Sequence, residues 1–114
     1  MPEENDETET YRRFIVEAVE MLYNLNMRNT VPPFKVEPVS LAMIYTAVKN
    51  RIVALMLRGE WKHLGWFDKG GEPHIRTKRW VDRMVNHAAS PKYGARIVAY
   101  KAGYYVPAWV QNST

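Results

Sequence analysis

The sequence predicts an α+β, mainly helical fold in a single small domain, and three observations predict it. Apolar residues recur at three- and four-residue steps in three separate stretches, the period of a helix with one buried face. The chain then carries two short β-branched and aromatic runs joined by Lys101-Ala102-Gly103, the pattern of a β-hairpin. Finally, 114 residues at 46% hydrophobic content support one core and argue against global disorder. That length excludes a barrel enzyme or a two-domain dinucleotide enzyme.

The elements follow in order. Residues 1–9 hold five acids and no apolar period, and are expected to form a disordered acidic tail ahead of a single domain over 10–110. Tyr11 to Leu25 places Tyr11, Phe14, Ile15, Ala18, Met21, Leu22 and Leu25 on one helical face, with Thr8 or Thr10 positioned to cap it. Pro32-Pro33 forbids continuation, and the alternation of Phe34-Lys35-Val36 predicts a short first strand. Ser40 is a good N-cap for a second helix, Leu41 to Arg58, which Gly59 ends. Trp61, Leu64, Trp66 and Phe67 form a dense aromatic group, read as a helical turn that caps the core before an exposed Asp68-Lys69-Gly70-Gly71 loop. A third helix, Thr77 to Ala89, turns Trp80, Val81, Met84, Val85 and Ala88 inward and stops at Ser90-Pro91. The hairpin pairs Arg96–Tyr100 with Tyr104–Pro107, its adjacent tyrosines pointing to opposite faces; residues 111–114 form a polar end.

Charge divides the chain. Residues 1–40 carry eight acids and four bases, whereas residues 41–114 carry twelve bases and four acids, so the net +4 conceals −4 followed by +8. Much of the excess falls on the third helix, where Arg76, Arg79, Arg83 and Asn86 lie on one stripe opposite the apolar face, with Lys78 beside them. Such a separation suits nucleic-acid binding, because the apolar face anchors the helix while the basic face reaches phosphates and base edges. Arg76 or Arg79 is positioned for a bidentate guanine contact; Asn86 suits adenine by its chemistry, but its place late in the helix favours the DNA backbone. Lys92, Arg96 and Lys101 extend the charge into the hairpin, with Lys101 at its tip. The competing reading is an ordinary solvated surface, with Arg79 and Arg83 paired to Asp82 or Glu72.

The stretch from Ile75-Arg76-Thr77-Lys78-Arg79-Trp80 to Val85, followed by Ala95-Arg96-Ile97-Val98-Ala99-Tyr100-Lys101-Ala102-Gly103-Tyr104-Tyr105-Val106, resembles the recognition helix and wing of winged helix-turn-helix domains. Pro38 to Val48 resembles a supporting helix of that fold, so the likeness covers residues 38–107. The resemblance implies three main helices, a short first strand and a C-terminal wing. It also implies a non-catalytic protein that binds double-stranded DNA, such as a transcriptional regulator or a phage or mobile-element factor, in the cytoplasm or on the nucleoid. Some members of that family serve only protein contacts. The alternative expectation is therefore an interaction module or inhibitor of a nucleic-acid-binding enzyme, engaging its partner through Trp61, Trp66 and Phe67. A homodimer would use the Tyr11–Leu25 helix.

Enzymatic chemistry finds little footing in these residues. There is no Cys for a thiolate or a zinc site, no paired-His spacing, and no phosphate-cradling glycine motif. Asp68 and Glu72, with His74 or Lys78, lie in a glycine-rich loop rather than on a rigid frame, so no metal or nuclease site is assigned. No cofactor is expected. The longest apolar run, Ile52–Leu57, is too short to span a membrane, and the acidic opening is unlike a signal peptide.

Overall fold

The computed structural model describes residues 2–63, 66–67 and 73–112. Helix α1 (Pro2–Arg28) leads to strand β1 (Val39–Ser40) and helix α2 (Leu41–Leu57). Two short strands, β2 (Trp66–Phe67) and β3 (Pro73–His74), pair antiparallel before helix α3 (Lys78–Ala88). A 3-10 turn (Pro91–Tyr93) then leads to β4 (Ile97–Lys101), β5 (Tyr104–Pro107) and a last helical segment, α4 (Ala108–Asn112). The fold is thus α+β and mostly helical.

α1 lies at the centre. Tyr11, Ile15 and Val19 are 0% exposed, and α2, α3 and β5 all pack against this helix. α2 contributes Ile44, Val48, Ile52 and Met56, a strict four-residue repeat that forms one buried stripe. Its ends are set by local chemistry. The Ser40 Oγ accepts the Met43 N–H at 3.2 Å. At the other end Gly59 adopts φ +71, and the Glu60 and Gly59 N–H groups return to the Leu55 and Met56 carbonyls. That is a Schellman closure, which needs the left-handed conformation glycine supplies. Thr77 caps α3 in the same way as Ser40 caps α2, accepting the Trp80 N–H at 3.2 Å.

The sheet order is β1-β5-β4, antiparallel at both seams, so the last strand lies in the middle. Val39 pairs with Tyr105, and Val98 with Val106. Tyr105, Val106 and Pro107 are buried while Tyr104 is exposed, the expected alternation at the tyrosine pair. Pro107 occupies the end of this central strand, where a missing N–H is tolerated. The hairpin turns at Gly103, with φ +80.

Three expectations change. The helix does not begin near Tyr11: it runs from Pro2 through the acidic segment read as a disordered tail. Proline suits a first helical position, and carboxylates in the opening turns are favoured by the helix dipole, so the absent apolar period did not mean an absent helix. Thr8 and Thr10 therefore lie inside α1 and do not cap it. The short first strand is Val39–Ser40 rather than Phe34–Val36, because only the former reaches β5; Phe34 is 77% exposed. No helical turn forms at Trp61–His63. Asp68-Lys69-Gly70-Gly71 and Glu72 lie outside the described residues, as do the side chains of Trp66, Phe67 and His74, while residues 111–112 belong to α4.

Replacing Ile15 by Ala is expected to destabilise the fold by about 3 kcal/mol in urea unfolding, whereas Leu25→Ala, on the exposed side of α1, should stay within about 1 kcal/mol.

Candidate nucleic-acid interface

α3 has the two faces required of an anchored basic helix. Val81, Met84, Val85 and Ala88 are buried, and Trp80 packs edge-on to Tyr11 with ring centroids 4.7 Å apart. Lys78, Arg79, Arg83 and Asn86 are exposed. Arg79 and Arg83 carry no ion pair or side-chain hydrogen bond among the described residues, so the pairing with Asp82 that the competing reading offered does not occur, and its other partner, Glu72, lies outside the described residues. Asp82 is instead taken by Lys78, one turn earlier, at 2.8 Å. The Asn86 Oδ1 accepts a 2.7 Å hydrogen bond from the Tyr105 hydroxyl, which ties α3 to the central strand. Asn86 is thereby partly committed to structure. Burial raises the pKa of Tyr105, reinforced by the negative Asp82 nearby, and this keeps the hydroxyl a donor.

Arg76 does not belong to the stripe. It precedes the Thr77 cap, outside the helix, and its guanidinium makes a bidentate pair with Glu7 at 2.9 and 2.8 Å. The same group lies 4.8 Å from the Trp80 ring centroid. With Glu7 12% and Arg76 30% exposed, this is a partly desolvated, oriented pair. Arg76 is therefore held by α1, contrary to its expected role as a free base-reading arginine. The cause is the acidic first turns of the helix, whose folding brings Glu7 to residues 69 positions away.

The remaining bases divide similarly. Arg96 is half-buried and reaches Glu9 through Nη1 at 3.2 Å, with Nε and Nη2 buried and unpartnered among the described residues. Lys92 is exposed on the 3-10 turn, and Lys101, at the hairpin tip, lies 4.8 Å from the Tyr104 ring centroid. Arg79, Arg83, Lys92 and Lys101 are thus the exposed cations of the predicted set without an ion pair among the described residues, and Lys78 is exposed but paired with Asp82.

The aromatic group serves the core at its described member. Trp61 sits edge-on to Tyr11 at 5.8 Å and tilted against Phe14 at 6.2 Å. The apolar face of Tyr11–Leu25, the expected dimer helix, is largely spent on the interior, leaving Met21 and Leu25 exposed. Among the described residues no three His, Asp or Glu side chains gather as a metal-binding group. No helix of the described residues is long and apolar enough to cross a membrane.

Glu7, Glu9 and Tyr11 escaped the sequence reading as parts of this surface. The Tyr11 hydroxyl accepts the Arg76 N–H at 3.4 Å, and burial pushes its pKa up to about 12. A phenol that stays protonated in the folded chain but ionises near pH 10 when unfolded removes stability as pH rises between those values. Stability is expected to fall between pH 10 and about 12, and Tyr11→Phe should flatten that fall in thermal unfolding measured across the window. No protein-family model matches the chain, and no curated protein or solved structure shows significant similarity to it.

Proposed function

We propose that the chain is a winged-helix-type domain that binds double-stranded DNA without catalysis. α3 acts as the recognition helix and the β4–β5 hairpin as the wing. The order helix–strand–helix, then the β2–β3 pair, helix and hairpin, and the central position of the last strand support the architecture. One observation carries the function: Arg79 and Arg83 stand exposed, without partners among the described residues, on a helix whose opposite face is anchored in the core. Arginines in that state can fork onto phosphates or guanine edges without first breaking an internal pair. Lys101 and Lys92 add phosphate contacts from the hairpin tip and the 3-10 turn.

The test is a fluorescence-anisotropy titration of random duplex across salt. Arg79→Glu with Arg83→Glu is expected to weaken binding by about tenfold or more at moderate salt, and Lys101→Gln to lower the salt slope by about one contact. Unchanged affinity in the double variant would show that α3 is not the interface. A wild-type chain that ignores duplex even at low salt would leave the interaction-module reading.

A further inference from the structure

The C-terminal end of α3 and the turn after it hold a cluster that the DNA reading uses only in part, through Arg83 and Lys92. Tyr93 is its hub. The His87 imidazole stacks on the Tyr93 ring with centroids 5.3 Å apart. The Arg12 guanidinium, from α1, lies 4.1 Å from the same centroid, and the Lys92 ammonium 5.6 Å from it. Arg83 sits one helical turn before His87, on the same side of α3. Arg12 is almost buried, which is unusual for a guanidinium, and Glu9 is the carboxylate that meets it, at 3.2 Å. Glu9 also takes Arg96, so a single carboxylate is shared by two arginines. Further polar capacity is unmet: His87 Nδ1 and Arg96 Nε and Nη2 are buried with no partner among the described residues.

We propose that Arg12, His87 and Lys92, gathered around the Tyr93 ring, together with Arg83 one helical turn before His87, form a binding site for a phosphate-type oxyanion. The positive charge there exceeds what Glu9 neutralises, and the cations come from three elements whose positions are set by the core rather than by one flexible segment. An oxyanion would offset their mutual repulsion, and guanidinium and ammonium groups supply its charge-assisted hydrogen bonds. Glu9 is the internal carboxylate with which it would compete. The oxyanion can be a backbone phosphate of nucleic acid or a free phosphate group. The first source rests on the function proposed above, whereas the second is independent of it.

His87 reports on occupancy. Its pKa lies below the ordinary histidine value because of burial first, then the positive charge of Arg12, Arg83 and Lys92. An arriving dianion reverses the electrostatic part, so the imidazole pKa must rise on binding. The experiment follows the His87 ring resonances by NMR in the full chain, titrating inorganic phosphate against chloride at matched ionic strength. A saturable shift is expected, with the His87 pKa raised by about half a unit or more. Arg83→Gln with Lys92→Gln, both at exposed positions, should weaken saturation by about tenfold. Glu9→Gln should strengthen it. Resonances that respond to phosphate no more than to chloride, or a double variant that saturates like the wild type, would overturn the site.

A parallel titration with duplex separates the two sources. If duplex moves His87 as phosphate does, the ligand is the nucleic-acid backbone. Saturation by phosphate in a chain that binds no duplex would establish a free-oxyanion site and remove the DNA reading. Tight duplex binding with His87 unmoved by either ligand would remove the oxyanion site and leave the DNA reading intact.

Discussion

The face of α1 that carries Tyr11, Ile15 and Val19 is the surface on which everything else is assembled. α2 lays its Ile44–Val48–Ile52–Met56 stripe on it, α3 its Val81–Val85 face, and β5 its buried residues. Fully burying a side chain of this size is worth about 2 kcal/mol, so the small domain depends heavily on this one helix. The same packing fixes what faces water. Once α3 commits its apolar side to α1, Arg79 and Arg83 have only the outside to occupy. The basic surface follows from burial on the opposite face.

Electrostatics then refines that surface. The opening turns of α1 deliver Glu7 to Arg76 and Glu9 to Arg12 and Arg96, so three arginines are held by carboxylates while others stay accessible. The contrast is one of environment. The Glu7–Arg76 pair is partly desolvated, bidentate and braced by Trp80, conditions under which an ion pair keeps its geometry. The Lys78–Asp82 pair is a solvent-facing helical pair of ordinary, small value. Net charge could not distinguish these states. Glu7 and Glu9 neutralise chosen partners.

Much of the fold was legible in the residues. The three helical cores, the Ser40 cap, the glycine closure at Gly59, the hairpin turn at Gly103 and the alternation of Tyr104 and Tyr105 each rest on a local rule: a period, a cap or a backbone preference. The misreadings share a cause as well. Residues 2–9 have no apolar stripe, yet proline at the start and acids near the positive end of the helix dipole favour a helix that continues into a well-packed one. Phe34–Val36 alternates like a strand but pairs with no strand among the described residues, whereas Val39–Ser40, less regular in pattern, meets β5.

By itself, the sequence determined the cores of the three main helices, where two of them start, where α2 stops, and that the third helix separates basic from apolar residues. Those features are written in neighbours a few positions apart, where periodicity and capping act. Tertiary structure alone decided which basic residues remain accessible and which are held. Arg76 and Glu7 are 69 positions apart, Arg96 and Glu9 87 apart, and the Arg12–Tyr93–His87 stack joins α1 to the end of α3. Such pairs depend on where packing brings the elements together, and no local pattern encodes that distance.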